Sequence, residues 1–151
     1  MRLAVIAVGR LKPGPFKALE QDYAARIRWP LTIREVEERR RLPPAEMKAR
    51  EGDLLLAALP RGAAVVALDA GGDAVASDRL AVLLGTWRDR DAEVAFVIGG
   101  AEGLADPVRN RADRVLSLGP MTWPHFLARV MLLEQIYRAQ QILAGHPYHR
   151  A

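Results

Sequence analysis

The sequence predicts an α/β fold, a single domain over residues 1–151 built on one parallel sheet with helices covering both faces. Three observations predict it. Short apolar runs, Leu3 to Val8, Ala63 to Leu68 and Val94 to Ile98, stop at Gly9, Asp69 and Gly99, which suits strands buried on both faces. Stretches with apolar residues three and four apart separate them. The β-α alternation recurs five times with no internal repeat, linker or low-complexity segment, as a parallel sheet requires.

Leu3 to Val8 is the first strand, and Pro13, Gly14 and Pro15 then break the chain. Phe16, Leu19, Tyr23 and Ile27 make the apolar face of a helix closed by Pro30. Leu31 to Val36 is a second strand. Pro43 and Pro44 introduce a helix that reaches about Leu59 and is interrupted by Gly52. Ala63 to Leu68 is the third strand, ending at Asp69 before a turn at Gly71 and Gly72. Ser77 is expected to cap a helix whose stripe is Leu80, Leu83, Leu84 and Trp87. Val94 to Ile98 runs into Gly99 and Gly100. Asp106 with Pro107 reads as a cap and a first-turn proline. Val115 to Leu118 is the last strand, and a helix from His125 to about Ala144 stops at Gly145 and Pro147.

That last helix has two apolar stripes, Phe126–Val130–Leu133–Tyr137 and Leu132–Ile136–Ala139–Leu143. A helix apolar on nearly all sides must be covered on nearly all sides. A partner subunit is one cover; the domain's own core is the other.

Composition narrows the function classes. With 151 residues the chain buries roughly 70% of its unfolded surface and needs no disulfide or metal staple. It has no Cys, which removes thiolate zinc sites and Cys nucleophiles. Its apolar runs of six residues fall far short of the roughly twenty of a membrane helix. No cleavage pattern follows Arg2, so no leader is expected and a cytoplasmic location is. The net charge is +4, compatible with nucleic acid. Arg39, Arg40 and Arg41 form a run that also reads as a solvated loop, and all three His lie near the C-terminus, beside Arg129, Arg138 and Arg150.

Ligands in such sheets sit at the carboxyl ends of strands. That directs attention to Leu68–Asp69, to Gly99–Gly100, and to the loop Leu118, Gly119, Pro120, Met121, Thr122, Trp123 and Pro124. Glycines let a backbone approach a flat ligand, and a rigid, partly apolar loop lines an adenine or thioether pocket; a structural turn and a Pro-rich connector are the plainer readings. The tail His146, Pro147, Tyr148, His149, Arg150 is aromatic and basic where tails are usually small and polar. Such residues stack on splayed bases and grip phosphates. Phosphate-loop, nucleophile-elbow and zinc-helix motifs are absent.

Taken together these segments resemble the RlmH family of ribosomal RNA methyltransferases, small members of the SPOUT superfamily. The resemblance spans the chain. It is carried by Ile98-Gly99-Gly100-x-Glu102-Gly103-Leu104, Thr122-x-Pro124-His125, Arg129, Glu134-Gln135-x-Tyr137-Arg138-Ala139 and His146-Pro147-Tyr148-His149-Arg150. Ala101 departs from the Pro usual in the family, which loosens that turn. The resemblance implies a SPOUT fold with a C-terminal deep trefoil knot, and a homodimer. It also implies S-adenosylmethionine as cofactor, no metal, and methylation of N3 of a pseudouridine in 23S rRNA of the large subunit, on the ribosome.

The imide N3 is protonated near neutral pH, and His is the side chain best matched to removing that proton. His149 and His125 are the candidates, with His149 in the tail favoured as base or anion stabiliser. Arg129, Arg138, Tyr148, His149 and Arg150 are expected to face RNA. A flavodoxin-like nucleotide-binding protein and a non-catalytic RNA-binding module stay as alternatives.

Overall fold

Strand β1 (Arg2–Val8) lies inside the sheet because both of its faces are apolar: Leu3, Val5 and Ala7 point to one side, and Ala4, Ile6 and Val8 to the other. In this computed structural model, which describes residues 1–150, four more strands complete the sheet. They are β2 (Leu31–Val36), β3 (Ala64–Ala74), β4 (Glu93–Ile98) and β5 (Arg114–Ser117), all parallel in the order β2-β1-β4-β3-β5. Helices α1 (Pro15–Arg26), α3 (Ser77–Asp89) and α5 (His125–Leu143) bury one face, and α2 (Pro44–Ala57) and α4 (Asp106–Arg111) the other. The expected three-layer α/β architecture is therefore present.

Several local expectations are corrected. Gly71 and Gly72 do not end the third strand. They lie in an irregularity between Leu68 and Asp73, after which β3 pairs with β5 again. A Cβ at Gly72 would come within 2.6 Å of the Val115 carbonyl oxygen, so only glycine permits this close approach. Gly52 does not interrupt α2; a Cβ there would be 3.0 Å from the Ala105 Cβ, and its absence lets α2 pack on the start of α4. Ser77 and Asp106 are the first residues of their helices rather than caps, and neither makes a capping bond. The Ser77 hydroxyl instead donates to Gln135 Oε1 at 2.6 Å, tying α3 to α5.

The two stripes of α5 are covered in large part within the chain, with Phe126, Tyr137 and Leu143 half-buried. Leu132, Leu133, Ile136 and Ala139 are buried in the domain's own core, between α1, α3 and the sheet. Helix α1 departs the other way. Its expected apolar face leaves Phe16 and Leu19 exposed, at 41% and 43%, while Glu20 is buried. The cause is Arg129 of α5, whose charge draws the carboxylate inward.

Candidate functional site

Parallel strands place every strand-to-helix loop along one edge of the sheet, so the loops after β3, β4 and β5 meet. They enclose a cleft of about 540 Å³. Leu68, Gly99, Gly100, Leu118, Gly119, Met121, Thr122, Trp123 and Pro124 line it, as expected from the sequence; Pro120 is not among the lining residues. Asp69, at the strand end singled out from the sequence, lines it too, as do Leu104, His125 and Ala128, which were not expected in the pocket. Asp69 was legible as the polar end of an apolar strand, and His125 as the first residue of α5.

The loop after β5 is shaped by Ser117. Its hydroxyl donates to the Gly119 carbonyl at 2.8 Å and accepts from the Gly119 amide at 3.0 Å, and Gly119 has φ +107°, where a side chain is strained. Trp123 Nε1 donates to the Leu118 carbonyl at 3.3 Å. After β4, Gly100 and Gly103 pair as an isolated bridge. The glycines serve this turn more than a ligand's approach. A Cβ at Gly99 would meet the Gly103 carbonyl at 2.9 Å, and one at Gly100 would meet Glu51 Oε2 at 2.8 Å and Val8 Cγ1 at 2.9 Å, beneath the cleft.

Electrostatics separate the two sides of that turn. Glu51 of α2 is 8% exposed and its Oε1 has no partner; burial, with nearby Glu102, pushes its carboxyl above the usual range. Asp69 behaves oppositely. Burial raises its pKa, but the Gly71 amide and the Arg109 guanidinium outweigh this and the carboxyl titrates below its ordinary value. Asp69 is thus ionised at the cleft and paired with Arg109, which is not itself among the described residues lining it. His125 is pushed below the usual histidine pKa by burial and then by the charge of Arg129. It is a neutral imidazole near pH 7, able to accept a proton.

Arg129 does not face RNA. It is fully buried, at 0% exposure. Its Nη1 donates to Glu35 Oε2 at 2.7 Å and Glu20 Oε2 at 3.1 Å, and its Nη2 to the Gly9 carbonyl at 2.9 Å. The guanidinium therefore clamps the loop after β1 to α1, β2 and α5.

The remaining tail residues do gather. Arg138 bonds Glu134 at 2.6 Å, approaches His149 Nδ1 at 3.3 Å and stacks over the Tyr148 ring at 4.8 Å. The Tyr148 hydroxyl donates to Glu134 Oε1 at 3.1 Å, and its ring meets Tyr137 edge-on. Arg150 is exposed beside them. This cluster sits on the C-terminal half of α5. His149 is thereby separated from the cleft of its own chain, at whose rim His125 stands.

Beside the cleft, and sharing Leu68, Leu118 and Gly119 with it, runs an apolar groove of about 660 Å³. Leu19, Tyr23, Val75, Met131 and Glu134 are among its lining residues. Among the described residues no group of three His, Cys, Asp or Glu side chains could hold a metal ion, and no helix is long and apolar enough to cross a membrane.

Comparison with known proteins agrees with this geometry. The family described as "Predicted SPOUT methyltransferase" matches residues 1–149. The protein called ribosomal RNA large subunit methyltransferase H in Rhodospirillum centenum is 62% identical over 152 aligned positions, covering 100% of both chains. That of Paramagnetospirillum magneticum is 53% identical, covering 99% of each. Among solved structures, the SpoU methyltransferase AviRb from Streptomyces viridochromogenes, in complex with AdoMet, superposes with a TM-score of 0.51. It is 17% identical, and the match covers 93% of this chain and 58% of that one, a likeness of fold alone. The chain belongs to the SPOUT methyltransferase family, and within it to the ribosomal RNA large subunit methyltransferase H (RlmH) family.

Proposed function

We propose that the protein transfers a methyl group from S-adenosylmethionine to N3 of a pseudouridine in 23S rRNA, on the large subunit of the assembled ribosome in the cytoplasm. It acts as a homodimer, with the chain threaded as a deep trefoil knot around the cleft. The observation that carries the reading is the cleft at the ends of β3, β4 and β5, with apolar walls and an Asp69 carboxylate held by Arg109. Its volume falls in the range of small-molecule sites, and its apolar lining suits the adenine and the sulfur-bearing chain of that cofactor. The relatives' name and the AdoMet complex of AviRb support the same conclusion.

The residues fit that cofactor. Leu118, Met121 and Trp123 offer apolar surface, and Thr122 brings a hydroxyl to the lining. S-adenosylmethionine, when bound, supplies an electrophilic methyl group. The cleft orients donor against acceptor and excludes water, which is most of what an in-line transfer needs. The N3–H bond must break, and an imidazole takes that proton: His125 stands at the cleft, and His149 is brought by the tail of a second copy. Helix α5 spans about 27 Å from His125 to Leu143 at 1.5 Å per residue. The six residues from Ala144 to His149 reach at most about 22 Å fully extended. A second copy seated in the groove of Leu19, Val75 and Met131 supplies the tail without unravelling the Glu134–Arg138–Tyr148 cluster.

Ribosomes lacking the modification, incubated with the protein and labelled S-adenosylmethionine, are expected to gain label in N3-methylpseudouridine after digestion to nucleosides. Ribosome binding with no S-adenosylmethionine affinity in calorimetry and no transfer would overturn the reading in favour of a non-catalytic RNA-binding module. A monomer in light scattering would overturn the composite site.

A further inference from the structure

The cleft occupies only the β3–β5 part of the sheet's carboxyl edge. The loops after β1 and β2 continue that edge, and they carry Arg10, Lys12, Arg39, Arg40 and Arg41. Arg40 is taken by Glu38, which also holds Arg50, and the Glu38 carboxyl is lowered to about 2. The other four cations are exposed and form no ion pair among the described residues. Their neighbouring carboxylates are mostly spent: Glu35 accepts from Arg129 and from the Leu11 amide, and Glu38 is neutralised twice. Arg10 and Arg39 face one another across a polar hollow of about 380 Å³, with Glu35 and Glu37 as its other walls.

This basic ridge is joined rigidly to the methyl-donor cleft. Gly9, immediately before Arg10, donates its amide to the Val36 carbonyl at 2.9 Å and gives its carbonyl to Arg129. A Cβ at Gly9 would lie 3.1 Å from His125 Nε2, so Gly9 touches the imidazole that lines the cleft. Arg10 follows directly on the residue that packs against His125.

We propose that Arg10, Lys12, Arg39 and Arg41 form a phosphate-binding ridge that seats the RNA backbone flanking the target nucleotide. This rests on the methyl transfer to rRNA proposed above and adds the surface that positions the substrate. Phosphate contacts fix register and orientation without reading sequence. Exposed guanidinium and ammonium groups on two short loops, braced by Arg129 at their base, suit that task.

The test is the salt dependence of binding to ribosomes that lack the modification. Replacing Arg10, Lys12, Arg39 and Arg41 together with Ala should reduce the slope of log Kd against log salt by about 3, since each single-strand phosphate contact contributes about 0.7. Near 0.1 M salt the loss should exceed about ten-fold in affinity, with S-adenosylmethionine binding unchanged in calorimetry. A charge-matched control replaces Arg28, Arg61, Arg90 and Arg114, exposed at the amino edge of the sheet, and should leave the slope near that of the wild type. If the four-fold ridge variant does not fold, Arg10→Ala with Arg39→Ala should still lower the slope by about 1.4. A ridge variant indistinguishable from the control, while the wild type methylates, overturns the ridge alone. A wild type that neither binds nor methylates ribosomes overturns the enzymatic reading and the ridge with it.

Discussion

Replacing Arg129 with Met separates two opposed views of this residue. A cation on the RNA surface, as the sequence suggests, is dispensable for folding. The buried guanidinium in the structure is not. Its loss leaves Glu35 with only the Leu11 amide and Glu20 with only Lys17, the latter at 2.8 Å, and it unpairs the Gly9 carbonyl. Removing one partner of a buried ion pair costs about 3–5 kcal/mol, a large share of the 5–15 kcal/mol of a typical domain. With a urea m-value of about 2 kcal/mol/M, the midpoint should fall by about 1.5–2.5 M at pH 7, compared at one protomer concentration.

The sign with pH follows from Glu35. Burial raises its pKa, but the Arg129 and Leu11 hydrogen bonds outweigh this and leave it below 4.5 in the fold. Its contribution is present above 4.5 and is lost as pH falls through the folded value, so the gap between Arg129→Met and wild type should narrow below about pH 4.5. Adding Glu20→Gln and Glu35→Gln should recover much of the loss at pH 7. A midpoint change under 0.5 M together with lost ribosome binding would refute the buried-clamp reasoning and return Arg129 to the RNA surface.

Three further outcomes follow from the same contacts. Leu132→Asp should unfold the chain, since a charge at a 2%-exposed core position costs several kcal/mol, whereas Met131→Asp in the half-open groove should leave circular dichroism unchanged and shift light scattering from dimer to monomer. Gly100→Val should destabilise by about 1–3 kcal/mol through overpacking against Glu51 and Val8 and weaken S-adenosylmethionine in calorimetry by distorting the turn; unchanged affinity would remove that turn from the cofactor site. Glu51, whose folded pKa is raised above 4.5 by burial, contributes stability that is full at acid pH and lost as pH rises through the folded value. Glu51→Gln should therefore be more stable than wild type at pH 7 and lose that advantage below about pH 4.

The strands were legible because a run buried on both faces has no competing periodicity: Leu3 to Val8 and Val94 to Ile98 differ from β1 and β4 by a single residue at the start. The cleft was legible because strand ends in a parallel sheet share an edge. What failed were judgements of what a side chain meets. Gly71 and Gly72 have turn composition, yet they serve a close approach to β5 that appears only once β5 lies beside β3. Arg129 was a signal misread. It sits between Phe126 and Leu133 on an apolar stripe, a position that predicts burial, and its carboxylate partners come from Glu20 and Glu35, 109 and 94 residues away. No local pattern announces such pairs.

The nucleotide-binding alternative fails on the loop after β1, where a flavodoxin-like fold would place phosphates. Phosphate recognition there needs free backbone amides. The Gly9 amide already bonds the Val36 carbonyl, and the Leu11 amide already bonds Glu35. Phe126 and His125 close over Gly9 at van der Waals distance. A phosphate would have to displace the part-exposed Glu35 carboxylate from both the Leu11 amide and Arg129, which hold it there. The chain has thus used the first-strand loop as structure and left its open cleft at β3, β4 and β5. Arg10 and Lys12, just beyond Gly9, stay exposed outside that network.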